Sequence, residues 1–309
     1  MPSMNAMART AILAAAQNRV TEAFMSRYAM RLGAARFVAG ETLDQDVEVV
    51  RTLNRQGLKC NSTALGEAVT TVADANRAVE EYQTLISRLA AEHLDSNAAI
   101  KLTLVGLGLS EDLAYTNMTL LLDLSRSLEM FMRIDMEDSS YVEATLRTYR
   151  KLRDHGYDNV GAVLQSSLRR SAADLESLLP LSPNLRVVKG AYLESREVAF
   201  AAKSEVDENY VSLMERSLKD GGYTAIATHD QRMIDHAIGF VQQHQIPRDR
   251  FEFQMLYGVR PQLQLELVRQ GYTVLVATSY GTHWYPFFMR RLAERPANLL
   301  FLARNMVRR

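Results

Sequence analysis

The feature that most constrains this chain is an eightfold alternation of short apolar segments with longer amphipathic segments. The apolar segments have the length of strands, and most are rich in Val, Ile or Leu. They cover residues 58–65, 99–105, 130–135, 160–165, 185–190, 224–229, 251–256 and 273–278. Each is followed by a helical pattern, at residues 66–93, 111–128, 141–155, 169–179, 194–219, 231–244, 261–270 and 284–307. Eight strand–helix units predict an α/β fold of the (βα)8 TIM-barrel type.

The competing architecture is a doubly wound open sheet, which usually carries a G-x-G-x-x-G loop after its first strand. Residues 61–66 read Asn-Ser-Thr-Ala-Leu-Gly instead, so the barrel is favoured. The chain before Gly57 reads as helical, with a second amphipathic run that opens at residues 41–44. We therefore predict an N-terminal helical segment at residues 1–56 that packs on a catalytic barrel at residues 57–309.

Composition narrows the class of protein. Lys and Arg together number 36, as do Asp and Glu, so the balanced charge gives no reason to expect nucleic-acid binding. Cys60 is the only cysteine, which excludes an intrachain disulfide and suits a reducing compartment. No apolar run approaches the roughly 18 residues that span a bilayer. The sequence predicts a cytoplasmic protein and leaves peripheral membrane contact and self-association open.

Polar side chains recur at the carboxyl ends of the predicted strands, where a barrel builds its active site. They are Lys101, Thr103, Asp135, Gln165, Lys189, Thr228, His229, Gln254 and Thr278. Any one of them can be a buried, hydrogen-bonded side chain. Their recurrence at the same end of successive units favours a functional rim.

The rim residues indicate redox chemistry more than metal chemistry. The six histidines form neither H-x-H nor H-E-x-x-H, so no metal site is predicted. Lys101 and Lys189 leave open a Schiff-base lyase or aldolase, since a desolvated barrel lysine can be a nucleophile. A flavin fits better, because Gln165, Arg186 and His229 supply hydrogen-bond donors for its electron-rich edge.

Two adjacent arginines, Arg290 and Arg291, lie on an aromatic-flanked helical segment, with Glu294 four residues after the first. Paired guanidinium forks match a small carboxylate bidentately. The alternative is an exposed basic face with a simple Arg290–Glu294 pair.

These motifs together resemble the FAD-dependent proline dehydrogenase family, in its monofunctional bacterial type. The resemblance covers the barrel from about Gly57 to Asn298, by the ordered match of its motifs. The matching segments are Lys101-Leu102-Thr103, residues 134–138, Val163-Leu164-Gln165, residues 186–192, Ala227-Thr228-His229-Asp230, residues 251–258 and residues 290–294.

The resemblance implies a distorted (βα)8 barrel with noncovalent FAD at its C-terminal face and a last helix over that face. It implies oxidation of L-proline to Δ1-pyrroline-5-carboxylate, with hydride moving from substrate C5 to flavin N5 and electrons passing to a quinone. By position, Arg290 and Arg291 clamp the substrate carboxylate, and Glu67 pairs with Arg290 when no substrate is bound. The implied substrate-site residues are Lys101, Asp135, Tyr192, Leu256, Ala277, Tyr280, Phe287, Arg290, Arg291 and Glu294. The implied cofactor-site residues are Gln165, Arg186, Val188, Lys189, Gly190, Ala191, Thr228, His229 and Gln254.

The chain departs from the family pattern near the predicted substrate ring. Ala277 replaces a family tyrosine, and Phe287 replaces a second one and lacks its hydroxyl. The smaller side chains predict a roomier pocket with weaker affinity for proline or tolerance for 4-hydroxyproline, unless Tyr280 or a neighbour refills the space. A noncatalytic barrel that binds FAD is the remaining alternative.

Overall fold

The computed structural model describes residues 37–284, which form eight parallel strands that alternate with eight helices. The strands are β1 (Lys59–Ala64), β2 (Ser96–Lys101), β3 (Met132–Asp135), β4 (Val160–Gln165), β5 (Asn184–Val188), β6 (Tyr223–Ala227), β7 (Phe251–Leu256) and β8 (Val274–Tyr280). The helices are α1 (Leu43–Asn54), α2 (Val72–Ala91), α3 (Glu111–Ser127), α4 (Ser139–Asp154), α5 (Ser171–Leu178), α6 (Lys203–Asp220), α7 (Gln231–Gln243) and α8 (Pro261–Arg269). Short 3-10 turns cover Leu179–Leu181 and Arg248–Arg250.

The strands close into a barrel in chain order, and β8 pairs in parallel with β1. The predicted (βα)8 architecture is therefore confirmed. Helices α2 to α8 each follow one strand, so the buried faces of the strands and the apolar stripes of the helices form one core. The eighth helical pattern, at residues 284–307, and the chain before residue 37 lie outside the described residues. No helix in residues 37–284 has the length and hydropathy needed to cross a membrane.

Three predicted boundaries were wrong by four residues or more. Helix α2 begins at Val72 rather than at residue 66. The second strand ends at Lys101 rather than at residue 105, because the apolar run that follows folds into consecutive buried turns. Helix α6 begins at Lys203 rather than at residue 194. Residues 189–202 instead form a β5–α6 loop, held in part by an antiparallel bridge between Leu168 and Ala199. The sequence pattern alone did not distinguish these two loops from regular elements.

Helix α1 packs against the wall of the barrel at β1 and β8. Thr42 begins it with a capping box completed by Gln45, and Asn54 near its end donates to the Leu58 carbonyl at 2.9 Å. The contact places the Asp46 carboxylate inside the protein, facing the hydroxyls of Ser62 and Thr278. These hydroxyls partly offset the effect of burial. Neither carboxylate oxygen, however, completes a hydrogen bond among the described residues.

Burial raises the pKa of Asp46 from 3.8 to about 6. The folded chain therefore binds a proton here more tightly than the unfolded chain does. The favourable contribution of Asp46 to the free energy of unfolding is fully present at pH values below the pKa of this group in the unfolded chain. It is lost as the pH rises through the pKa of about 6 in the folded chain. Above that range, α1 carries the cost of a buried charge.

We expect Asp46→Asn to increase the free energy of unfolding at pH 7.5 by about 1–3 kcal/mol, because it removes this buried charge while keeping the shape of the side chain. The gain should shrink towards pH 4. Urea unfolding at pH 4.5, 6 and 7.5 measures both effects. Asp44→Asn is the matched control, since Asp44 lies on the same helix with its side chain 80% exposed. An equal gain at all three pH values would contradict the assignment.

Candidate active site

The inner face of the barrel is identified by strand register and by an ion pair that crosses the interior. Lys101 pairs in register with Asp135, and Leu256 with Ala277, so each pair shares a face of the sheet. Asp135 in turn contacts Arg186 from β5. The last inward residues of six strands are only partly buried, in contrast to the closed core below them; they are Thr63, Lys101, Asp135, Val188, Ala227 and Leu256. Ala277, which faces inward two residues before the last inward residue of β8, is also partly buried. These residues surround an accessible mouth at the C-terminal face of the barrel.

Arg186 is the central cation of this mouth. Its Nη1 donates to Asp135 Oδ1 at 2.7 Å, and only 10% of its side chain is exposed. Its Nε and Nη2 are buried and have no hydrogen-bond partner among the described residues. Buried donors without acceptors are costly and uncommon in native proteins. The three charged N–H groups on these two nitrogens therefore have no acceptor within residues 37–284.

A second polar layer lies beneath this mouth. Arg133 Nη2 donates to Asn184 Oδ1 at 2.7 Å, and Arg133 Nη1 donates to the Asn184 carbonyl at 3.1 Å. Complete burial, followed by repulsion from Arg186, lowers the pKa of Arg133 to about 10. On β7, Gln254 Nε2 donates to Glu252 Oε1 at 2.5 Å. These fixed charges close the bottom of the site and hold Gln254 in place.

Glu137 organises the rim at β2, β3 and β4. Its carboxylate accepts from Thr103 Oγ1 at 2.6 Å and from the Thr103 N–H at 3.1 Å. Its carbonyl accepts from Gln165 Nε2 at 2.8 Å. Burial raises the pKa of the Glu137 carboxyl, whereas both bonds from Thr103 act in the opposite direction. Lys101 stands beside this network and donates to the Gly66 carbonyl at 3.2 Å.

The predicted cofactor residues of β5 and β6 lie on adjacent strands. Lys189 forms ion pairs with Asp207 at 2.5 Å and Asp230 at 3.5 Å, so it joins α6 to the start of α7 instead of occupying a dry apolar pocket. His229 Nε2 accepts from the Leu256 N–H at 2.8 Å, which places the proton of a neutral ring on Nδ1. Thr228 Oγ1 accepts from the Asp230 N–H at 3.1 Å.

Gly190 begins the β5–α6 loop at a φ of +100°, and a Cβ there would lie 2.2 Å from Ser167 Oγ. Only glycine fits this position without displacing the neighbouring strand end. Ala191 and Tyr192 follow, and both are partly buried.

Apart from Tyr192, the predicted substrate residues and the gate residue Glu67 fall into four groups. Lys101, Asp135, Leu256 and Ala277 reach the inner mouth. Tyr280 lies on the opposite face of β8 from Ala277, where burial and the neighbouring Glu81 and Asp46 raise its pKa above the ordinary range. Tyr280 therefore packs towards α1 and α2 and does not refill the space left at Ala277. Glu67 is exposed in the β1–α2 loop. Phe287, Arg290, Arg291 and Glu294 lie outside the described residues.

Several residues of the site were missed by sequence analysis. Glu137, Arg133, Glu252 and Asp207 each bind or support a predicted residue. Arg133 and Glu252 had a recognisable signal, since each precedes a predicted site residue by two positions and so shares its face of the strand. Asp207 had none, because its role depends on the approach of α6 to Lys189.

Comparison with known proteins identifies the family. The sequence model described as "Proline dehydrogenase" matches residues 47–304. This chain belongs to the proline dehydrogenase family. "Proline dehydrogenase 1" of Bacillus subtilis (strain 168) is 43% identical over 303 residues, which cover 98% of this chain and 100% of the relative. "Proline dehydrogenase" of Deinococcus radiodurans is 41% identical over 97% of this chain and 98% of its own length.

The proline dehydrogenase family consists of flavin-dependent oxidoreductases that act on proline, so the predicted enzyme class is confirmed. A crystal structure of proline utilization A from Bdellovibrio bacteriovorus, inactivated by N-propargylglycine, superposes with a TM-score of 0.83. That match has 22% identity and covers 94% of this chain and 37% of the larger protein, and it supports the shared barrel fold. Within residues 37–284, no group of three His, Cys, Asp or Glu side chains is arranged to hold a metal ion.

We expect Thr103→Val to lower the free energy of unfolding at pH 8 by about 1–3 kcal/mol, because it leaves the buried Glu137 carboxylate with one donor fewer. The decrease in stability should be smaller at pH 5. The Thr103 hydroxyl favours the ionised form of the Glu137 carboxyl, so removing the hydroxyl matters less when the carboxyl is protonated. Urea unfolding at both pH values measures the difference. Thr84→Val removes an exposed hydroxyl that bonds within α2 and should change stability little. A loss that is independent of pH would contradict this role of Thr103.

Proposed function

We propose that this chain oxidises L-proline to Δ1-pyrroline-5-carboxylate with a noncovalent FAD at the C-terminal mouth of the barrel, and that a quinone receives the electrons. The observation that supports this proposal most directly, beyond family membership, is the pair of unpartnered donors on Arg186. A guanidinium in a dry, polar-lined barrel mouth suits an anionic or electron-rich ligand.

The described residues fit the chemistry of a flavin nucleotide. Arg186 and Gln165 offer donors beside the barrel axis, where an isoalloxazine ring needs partners for its ring nitrogens and carbonyl oxygens. The start of α7 and Lys189 supply a helix N-terminus and a cation for the phosphates. We assign the cofactor to Gln165, Arg186, Val188, Lys189, Gly190, Ala191, Thr228, His229 and Gln254. When bound, FAD would supply the acceptor for the hydride, with its electron pair, that leaves the substrate.

The rest of the mouth is suited to a small imino acid. Leu256 and Ala277 give an apolar wall, and Lys101 and Asp135 give polar positions opposite it. We propose that Tyr192 completes the wall and that Arg290 and Arg291 hold the substrate carboxylate, with Phe287 and Glu294 beside them and Glu67 as the gate. Such a wall excludes water, and a carboxylate clamp fixes the ring relative to the acceptor. Because Arg186 is held by Asp135, its charge is already oriented towards the place where negative charge develops.

The test uses purified full-length protein. We expect a yellow protein that releases FAD on denaturation and whose visible absorbance bleaches when L-proline is added anaerobically. We expect Arg186→Met to slow this bleaching at saturating proline by about 10²–10³-fold, because it removes the charged hydrogen-bond donors of Arg186 from beside the flavin ring. Arg216→Met is the control, since Arg216 is paired with Glu176 on the outside of the barrel.

The alternatives give different results. A colourless protein that is trapped by borohydride in the presence of substrate would indicate lyase chemistry on Lys101 or Lys189. A yellow protein that proline and its analogues never bleach would indicate a noncatalytic FAD-binding barrel. Quinone use is tested by steady-state turnover with a soluble quinone. Self-association, peripheral membrane contact and a cytoplasmic location stay predictions.

A second proposal concerns the substrate ring. Ala277 is partly exposed, although its neighbours along β8 from Val274 to Tyr280 are buried. Because Tyr280 packs on the other face of the strand, it does not fill the space beside Ala277. We propose that the pocket accepts a substituent on the proline ring, such as the hydroxyl of trans-4-hydroxy-L-proline.

We expect Ala277→Tyr to lower kcat/KM for trans-4-hydroxy-L-proline about 10–100-fold more than for L-proline, the range usual when a pocket loses room for a small group. Steady-state kinetics on both substrates measures the ratio. Ala277→Gly leaves the pocket at least as large, so it should not lower kcat/KM for trans-4-hydroxy-L-proline relative to L-proline. A wild-type enzyme that already rejects hydroxyproline strongly while binding proline well would refute the roomier pocket.

A further inference from the structure

The β5–α6 loop, residues 189–202, contains the partly buried Tyr192 and is bound at both ends to the loop that follows β4. At its start, the Ser167 N–H donates to the Lys189 carbonyl at 2.9 Å. At its end, the Phe200 N–H donates to the Ser167 carbonyl at 2.8 Å. The segment between these attachments includes Leu193, whose side chain is 57% exposed. Packing of that side chain therefore does little to hold the middle of the loop.

Glu194 attaches the middle of this loop to a different part of the barrel. Its Oε1 accepts from the Ser139 N–H at 2.7 Å, and its Oε2 accepts from Ser139 Oγ at 2.6 Å. Ser139 is the first residue of α4, so Glu194 satisfies one of the free N–H groups at that helix terminus. Asp138, the N-cap of α4, accepts from the next N–H, that of Ser140, at 3.0 Å.

The bond geometry and the local field both favour a carboxylate here. Two short bonds to one residue fix the direction of the side chain as well as its distance. The partial positive charge of a helix N-terminus stabilises an anion at this position. The contact joins residues that are 55 positions apart in the sequence. Ser139 lies in the first turn of α4, which follows β3, and Glu194 lies in the loop that follows β5.

The segment just before Ser139 also contains Glu137, which contacts two other rim residues. The Glu137 carboxylate accepts a hydrogen bond from Thr103, and the Glu137 carbonyl accepts one from Gln165. Asp135, at the end of the same β3 strand, holds Arg186. The Glu194 contact therefore connects the segment carrying Tyr192 to the element that positions Gln165 and Arg186.

We infer that Glu194 is a positioning residue: by binding Ser139 it holds Tyr192 over the substrate pocket and thereby sets the affinity for proline. Glu194 itself contacts neither substrate nor cofactor in this proposal. The inference depends on the proposed function, because it takes Tyr192 as the wall of the proline site. Loss of the contact should free the loop without removing the groups that hold the cofactor.

Three variants separate this role from a general effect on the fold. Glu194→Ala removes both bonds to Ser139. Glu194→Gln keeps an acceptor for the Ser139 N–H and offers a donor to its hydroxyl, so it should preserve the attachment. Glu197→Ala is the matched control, because Glu197 is an exposed glutamate of the same loop without a side-chain hydrogen bond in residues 37–284.

We expect Glu194→Ala to raise KM for L-proline about 5–20-fold, the effect usual when one charge-assisted attachment is lost, while kcat and bound flavin change less than about twofold. Glu194→Gln and Glu197→Ala should stay near the wild type. Hydrogen–deuterium exchange in residues 190–198 should be faster in Glu194→Ala alone. Ser139→Ala, which removes one of the two bonds, should give a smaller rise in KM, and the double variant should add little to Glu194→Ala.

Three results would overturn the inference. They are an unchanged KM in Glu194→Ala, an equal rise in Glu197→Ala, and an additive double variant. If Glu194→Ala does not fold, an unchanged KM in Ser139→Ala overturns it instead. A wild-type protein that proline never reduces overturns the proposed function itself. Faster exchange in Glu194→Ala would then still show that the attachment exists.

Discussion

The site depends on one ion pair inside the barrel, between Asp135 at the end of β3 and Arg186 on β5. These strands are not neighbours; the order β3–β4–β5, with both side chains on the inner face, brings the two groups together across β4. The bond leaves two of the guanidinium nitrogens buried without an acceptor in residues 37–284. A buried charge is costly unless an acceptor satisfies its remaining donors. The pair thus fixes a cation whose remaining donors suit the electron-rich ring of the cofactor that we propose.

Three carboxylates that are buried or partly buried connect elements of the barrel, and they differ in how many hydrogen bonds they accept. Glu137 receives two bonds from Thr103 and organises the rim. Glu194 accepts two hydrogen bonds from Ser139 and so attaches the β5–α6 loop to the start of α4. Asp46 faces two hydroxyls without completing a hydrogen bond to either, and burial raises its pKa. A carboxylate whose hydrogen bonds are complete holds its neighbours in a fixed position. Asp46 has no such bonds within residues 37–284, so at neutral pH its buried charge lowers the stability of the contact between α1 and the barrel wall.

Much of the barrel could be predicted because its strands are short apolar runs separated by amphipathic helices with recognisable caps. The limits of β4 and β7 were predicted correctly, and the α6 boundary failed because residues 194–202 have a helical pattern but are held as a loop by Ser167 and Leu168. Lys101, Asp135 and Gln165 could be selected as a rim because each ends a strand, whereas Arg186 was named as a hydrogen-bond donor for a flavin. Asp207 and Glu194 could not, since their partners are distant in sequence.

The amino-acid sequence by itself determined the order of strands and helices, the family and the identity of the rim side chains, because periodicity and motif spacing are local properties. Only the tertiary structure decided which rim residues face one another and which charges remain unsatisfied. Closure of β8 onto β1 sets Ala277 towards the mouth and Tyr280 towards α1 and α2. A strand alternates its side chains between two faces, but the face that looks inward is defined only when the barrel closes.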